Sequence, residues 1–332
     1  MSTTKLLPTT LIVPIASKCF DIKQEKVKLE DNIFLRAISQ DYIMPIALRF
    51  RGELDIDDIA LISRSDLCLF HEFSAPQVIV ERSDVSTKMS VKGWKEWSVS
   101  VADKKMVIIR MLRAFIFTKA IDLWIKPLLF IQGNRANPSF LSREYINMYR
   151  MKGMPTETMG DDDIKIAKEL YGRMKKLAGK AETAKKPLKL VQAITFFWVS
   201  QTTENIDLAF TTLVTSLEAL LLTGRRELKH KLAERVAFLL GGTAEEKIRN
   251  HILLSEIYDI RSKIVHGEKH LKGDKDIKYL HSVFDIARKC IRKTIIEDDL
   301  MNLFSLSLKK SDKFEKFFRN LVYGINDSKK GL

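Results

Sequence analysis

Cysteine is scarce in this chain. Its three residues, Cys19, Cys68 and Cys290, lie far apart and form no C-x-x-C pair, which argues against a disulfide framework or a cysteine zinc cluster and leaves buried free thiols as the expectation. Histidine is nearly as sparse, with six residues and no H-E-x-x-H helix. The one i,i+4 pair, His266 and His270, has Gly267 directly after its first member, so no metal site is expected there, and nothing implies a cofactor. The first 100 residues also lack a Gly-rich phosphate loop and a nucleophile elbow. No uncharged apolar run approaches the roughly 18 residues of a membrane span; the longest, VIIRMLRAFIF and WIKPLLFI, are broken by charge. The opening MSTTKLLPTTLIVPIASKCF has one early lysine and an apolar patch interrupted by Pro14, a poor secretion signal. The expectation is a cytoplasmic protein with no membrane partner.

What the chain does have is length, apolar content and positive charge. At 332 residues and 45% apolar composition it exceeds the usual single domain and can bury a sizeable core. The formal charge of +14 is uneven, with 13 basic against 14 acidic residues in the first 100 and 43 against 28 in the rest. A basic second part suits a polyanion such as RNA or DNA, although a lysine-rich surface also serves solubility alone.

The order of patterns reads as an α+β chain. Residues 1–100 suggest a β-rich antiparallel domain: TLIVPI, KVKLEDNIFLRAIS, YIMPIALRF, LCLFHEF, PQVIVE and WKEWSVSV alternate apolar with polar residues between turn signals such as RGELD and SVKG. Residues 101–187 form a mixed connector, containing a strand or two around DLWIKPLLFIQGNRANPSF and a helix opened by Asp161 to Asp163. Residues 188–332 read as a helical bundle with helices near 188–202, 206–223, 227–240, 244–267, 275–297 and 312–323. Thr223-Gly224 and Gly241-Gly242 supply stops, and Asp312 with Glu315 fits a capping box.

Within EEKIRNHILLSEIYDIRSKIVHG, the residues Leu253, Ile257, Ile260 and Ile264 step by four, three and four, one buried helical stripe. Arg261 and His266 lie off it, separated by roughly 140° around the helix and about 7.5 Å along it. Gly267 suits the C′ position of a Schellman stop, which sets His266 in the last turn. A histidine there can act as general acid or base, and an arginine can hold a phosphate through two parallel bonds. The spacing alone is weak evidence. With 19 arginines and six histidines, roughly 0.3 such pairs arise by accident (composition priors), and the second pair here, Arg225 and His230, opens a polar helix that reads as a solvated face.

The surroundings of the first pair are more specific. TTLVTSLEALLLTGRRELKHKLAERVAFLLGG followed by EIYDIRSKIVHG closely resembles the HEPN superfamily, in particular its Apea-like branch common in prokaryotic proteins, over about residues 190–300. In that branch an L-E-A-L helix precedes an E-L…K…A-x-R-x-A-x-L-L helix and a Y-x-x-R-S-x-x-V-H-G helix end.

The resemblance implies a helical bundle that pairs with a second copy, and in many members a metal-independent endoribonuclease of defence or stress responses. It assigns catalysis to Arg261 and His266, with Ser262 and Tyr258 supporting them. Glu218 and Arg235 fall on two further recurring positions and are read as a buried structural ion pair, because charges on apolar helix faces need partners. Some HEPN toxins carry a tyrosine two places after the histidine that a partner enzyme modifies; here Glu268 stands instead, which argues against that control. The expected partners are RNA, such as tRNA or another cellular RNA, and a second copy of the chain, with a possible trigger bound by the N-terminal domain. A non-catalytic HEPN adaptor binding RNA, nucleotide or protein is the alternative; an enzyme located in the N-terminal domain has no motif.

Overall fold

A computed structural model describes residues 5–15, 20–37, 67–77, 79–82, 89–121, 123, 125, 128–134, 137–144, 157–224, 227–305 and 311–325. Cys19, Arg225 and the expected strand YIMPIALRF lie outside them. Two compact units divide the described chain, one built from residues up to 115, from 121 to 144 and from 157 to 168, the other from 116–120 and from 169 onward. Among the described residues, no helix is long and apolar enough to cross a membrane.

The first unit holds a six-stranded sheet in the order β2-β3-β4-β1-β7-β8. Its strands are β1 (Leu6–Ile15), β2 (Lys26–Glu30), β3 (Ile33–Ala37), β4 (Leu67–Pro76), β7 (Leu128–Asn134) and β8 (Asn137–Glu144); β5 (Ile79–Arg82) and β6 (Met89–Lys92) form a separate ribbon. Every strand pairing is antiparallel. β1 lies between β4 and β7, and its residues from Thr9 to Ile15 are buried without alternation. A continuous apolar run of this kind marks a strand covered on both faces. Pro8 and Pro14 fall outside the stretch Thr9 to Ile12 that has partners on both sides, so neither removes a donor where both ladders need one.

Three expectations change here. KVKLEDNIFLRAIS is a hairpin, because Asp31 and Asn32 form a two-residue turn between Glu30 and Ile33, and such short polar residues tolerate turn geometry. WKEWSVSV opens helix α1 (Trp94–Thr118): the buried residues Trp97, Val101, Ile108, Leu112 and Phe115 follow helical spacing, and Trp97 meets Phe130 of β7 edge to face at 5.4 Å. The segment read as a connector supplies β7 and β8 to the main sheet, so the β-rich unit does not end at residue 100.

Helix α2 (Asp161–Thr183) begins at the acidic run as expected. The second unit then contains α3 (Lys189–Gln201), α4 (Ile206–Leu221), α5 (Leu228–Leu240), α6 (Ala244–Val265), α7 (Gly273–Ile296), α8 (Asp298–Phe304) and α9 (Ser311–Val322). The chain is therefore α+β, a β-sheet part followed by a helical part; α8 was not expected. Phe197 of α3 packs between Phe117 and Phe284, with ring centroids 5.0 and 5.2 Å away. Cys68 and Cys290 are buried free thiols, and burial pushes Cys290 up to about 12.

The expected Glu218–Arg235 pair does not form. Arg235, 3% exposed, binds the Glu315 carboxylate of α9, donates to the Leu221 carbonyl at 2.6 Å, and faces the Phe318 ring at 4.8 Å. The aromatic face of α9 thus closes over Arg235, whereas Glu218 turns to α6. The two oxygens of Glu315 accept from Thr223 and Arg235.

Lys189 lies beneath the same helix, 4% exposed, donating to the Leu222 carbonyl and 5.0 Å from the Phe314 centroid. Burial, reinforced by the Arg235 charge, pulls its pKa down to about 8 from 10.5. Between those values the unfolded chain binds more protons than the folded one, so stability rises with pH across that window. Lys189→Met is expected to flatten the rise in thermal midpoint between pH 8 and 10, measured beside wild type. Parallel profiles for the two proteins would exclude Lys189 as its source.

Candidate functional site

Helix α6 starts with a capping box: Glu246 N–H donates to the Thr243 hydroxyl at 3.3 Å, and Thr243 N–H donates to the Glu246 carboxylate at 2.8 Å. Its core contribution is small. Leu254 and Ile257 are buried, while Leu253, Ile260 and Ile264 of the expected stripe are only half-buried.

Polar ties reinforce its docking within two turns. Tyr279 of α7 donates to Glu256 at 2.7 Å, Lys229 of α5 bonds both oxygens of Asp259 at 2.8 and 2.7 Å, and Arg261 reaches Glu218 of α4 at 3.4 Å. A helix with so narrow an apolar stripe depends on such contacts for its position.

Arg261 is 27% exposed and lies 5.9 Å from the Tyr258 ring centroid. Its Nε–H is buried with no hydrogen-bond partner in the described residues, so part of the fork's donor capacity is unspent. Tyr258 also lies close to Glu218. Burial, then the negative charge of Glu218, raise the Tyr258 pKa above the ordinary tyrosine value, so the phenol stays protonated at neutral pH and is not a general base. Glu218 therefore pairs with the guanidinium and places its negative charge beside the phenol.

The helix ends in a Schellman motif. Gly267 adopts φ +75°, its N–H bonds the Ile264 carbonyl at 3.0 Å, and Glu268 N–H bonds the Lys263 carbonyl at 2.8 Å. Only glycine takes that backbone without steric cost. His266 is the C-cap residue, with its N–H on the Ser262 carbonyl at 3.1 Å and its side chain exposed. Ser262 itself is half-buried. The helix end thus presents an accessible imidazole one and a half turns beyond a tethered guanidinium.

The other histidines occupy different settings. His270 turns to Asp207 of α4, with Nδ1 2.7 Å from the carboxylate. His230 of α5 is exposed, its ring 5.6 Å from that of His251 of α6. In the first unit, burial and the Lys104 charge push His71 down to about 4, leaving it neutral and a core residue rather than an acid–base group at neutral pH. Among the described residues, no group of three or more histidine, cysteine or acidic side chains could hold a metal ion.

Sequence reasoning missed Glu315 and Asp207. For Glu315 the partner is 80 residues away and no local signal exists. For Asp207 the sequence shows an acid in the first turn of α4, which by itself indicates only helix-end electrostatics. No family model matches this chain, and no curated protein or solved structure matches it either.

Proposed function

We propose that the helical unit is an Apea-like HEPN domain and that the protein is a metal-independent endoribonuclease working as a dimer in a defence or stress response. The observation that carries this reading is the α6 end: Arg261 held by Glu218 and flanked by Tyr258, followed by the exposed ring of His266 on a glycine-stopped last turn. Cleavage by 2′-hydroxyl attack needs a base for that proton, an acid for the departing 5′-oxygen and cations for the charge on the phosphoryl oxygens. One α6 end offers a single imidazole and a single guanidinium. Two ends related by a dyad offer two of each. The products are a 2′,3′-cyclic phosphate and a 5′-hydroxyl.

A second copy has a surface to meet. Ile248, Ile252, Ser255, Asp259, Ser262 and His266 follow one another at steps of four and three along α6, and Ile248 and Ile252 are 59% and 53% exposed. Isoleucines so exposed on one helical face fit an interface that also brings the His266 ends together. The β-sheet unit would bind the trigger or restrain the nuclease. One observation favours the adaptor alternative: the guanidinium already has a carboxylate partner in Glu218, which offsets part of its charge.

The test incubates the purified full chain with total RNA in EDTA, with sedimentation run in parallel. Cyclic-phosphate products from a dimer, lost together with the dimer in Ile252→Asp, are the expected result. RNA binding without cleavage under every condition would favour the adaptor instead.

A further inference from the structure

We propose that Asp207 is a positioning residue of the candidate site, holding the loop through which the chain leaves His266. The inference rests on the endoribonuclease reading above, and its test separates the two.

The Schellman bonds fix the backbone only as far as Glu268. The next four residues lead to α7, and each is tied to a carboxylate. Lys269 Nζ lies 2.9 Å from Asp276, His270 Nδ1 2.7 Å from Asp207, Leu271 N–H donates to Asp207 at 2.8 Å, and Lys272 N–H donates to Asp276 at 2.8 Å. Asp276 sits in the first turn of α7 and ties the loop to its own following helix. Asp207 is different, because it belongs to α4, more than 60 residues earlier, and uses one oxygen for a side chain and the other for a backbone amide. It is not needed as the helix cap, since Asn205 already accepts from Leu208 N–H at 2.9 Å. Both of its oxygens are committed to the loop instead. Leu271, held at its amide, is also buried.

Helix ends open more readily than helix centres, and His266 stands at such an end. A loop free to move would let the last turn of α6 open and take the imidazole with it. Pinning residues 270 and 271 to α4, the helix that also supplies Glu218, gives Arg261 and His266 a common reference. Loss of the pin lowers the fraction of molecules in the competent arrangement, which reduces kcat and leaves RNA binding nearly unchanged.

The experiment measures cleavage kinetics and amide hydrogen exchange for the wild-type full chain, Asp207→Ala and Asp207→Asn. Asp207→Ala is expected to lower kcat about tenfold with KM within about twofold, and to speed exchange across residues 266–272 but not in the middle of α6. Asp207→Asn keeps an acceptor for the Leu271 amide and should recover part of both effects. Unchanged loop exchange in Asp207→Ala, or faster exchange with kcat untouched, overturns the proposal. If the wild-type chain cuts no RNA, the endoribonuclease reading fails by itself. The exchange arm then decides alone: faster loop exchange in Asp207→Ala supports the pin, and unchanged exchange overturns it.

Discussion

On the endoribonuclease reading, His266→Ala and Arg261→Ala are each expected to lower RNA cleavage by roughly 10²- to 10⁴-fold, the range for removing one positioned acid–base or charge-stabilising group. His266 gives the cleaner experiment. Its ring is exposed, and the backbone bonds that end α6 run through its amide rather than its side chain, so alanine should leave the fold unchanged. Arg261→Ala has a second effect, because Glu218, 17% exposed, loses its ion-pair partner. A matched thermal midpoint is therefore the control for that variant.

Arg261→Lys discriminates further. Lysine keeps the charge but not the planar fork, so a role in gripping a phosphate through two bonds predicts a deep loss here too. His230→Ala is the negative control, since His230 forms the same R-x4-H spacing with Arg225 but sits on an exposed face of α5. Equal activity of wild type and His266→Ala in a preparation free of contaminating nuclease would end the catalytic reading.

Local signals in the sequence were read well, and long-range ones were not. The Schellman end of α6 followed from one glycine after an apolar-periodic run, because the positive φ there is a property of that residue and its neighbours. The helices from α3 to α7 appear within two residues of the expected boundaries for the same reason. α1 was misread at its start because Trp94 to Val101 fits both a period of two and a period near four, and burial of Trp97 against Phe130 decides for the helix. Membership of β7 and β8 in the sheet depends on pairing with β1, more than 100 residues earlier, which no local pattern encodes. The ion pairs failed in the same way. Arg235 and Glu218 each needed a partner, as burial requires, but the choice of Glu315 and Arg261 was made by which helix faces closed together. The candidate Arg261 and His266 end was thus readable, whereas Glu218 as its support and Asp207 beside it emerge only from packing.

The packing of α9 makes the second large prediction. Glu315→Ala is expected to destabilise the helical unit by about 3 kcal/mol, because breaking a buried ion pair leaves an uncompensated charge. The figure is taken at the lower end of the usual range since the Glu315 side chain is 44% exposed although Arg235 is 4%. Two cations lie in the cluster, Arg235 and Lys189, and without Glu315 they keep the Leu221 and Leu222 carbonyls and the Phe314 and Phe318 rings. Removing the carboxylate also releases the Thr223 hydroxyl at the end of α4. The thermal midpoint should fall by roughly 6–12 °C for a unit of this size.

Acid reproduces the change in wild type. The pKa of Glu315 lies below the ordinary value of 4.5, burial opposing the shift and the Thr223 hydroxyl and Arg235 outweighing it. Its contribution is complete above the unfolded value and is lost as pH falls through the folded one. A double substitution separates charge from packing. Arg235→Met with Glu315→Met removes both charges and keeps apolar contact with the rings, and such replacements of buried pairs are often neutral or stabilising. Recovery of most of the midpoint in the double variant identifies the unpaired guanidinium as the cause. If the double variant is as unstable as Glu315→Ala, the loss lies in the seating of α9 on the bundle and not in the charge beneath it.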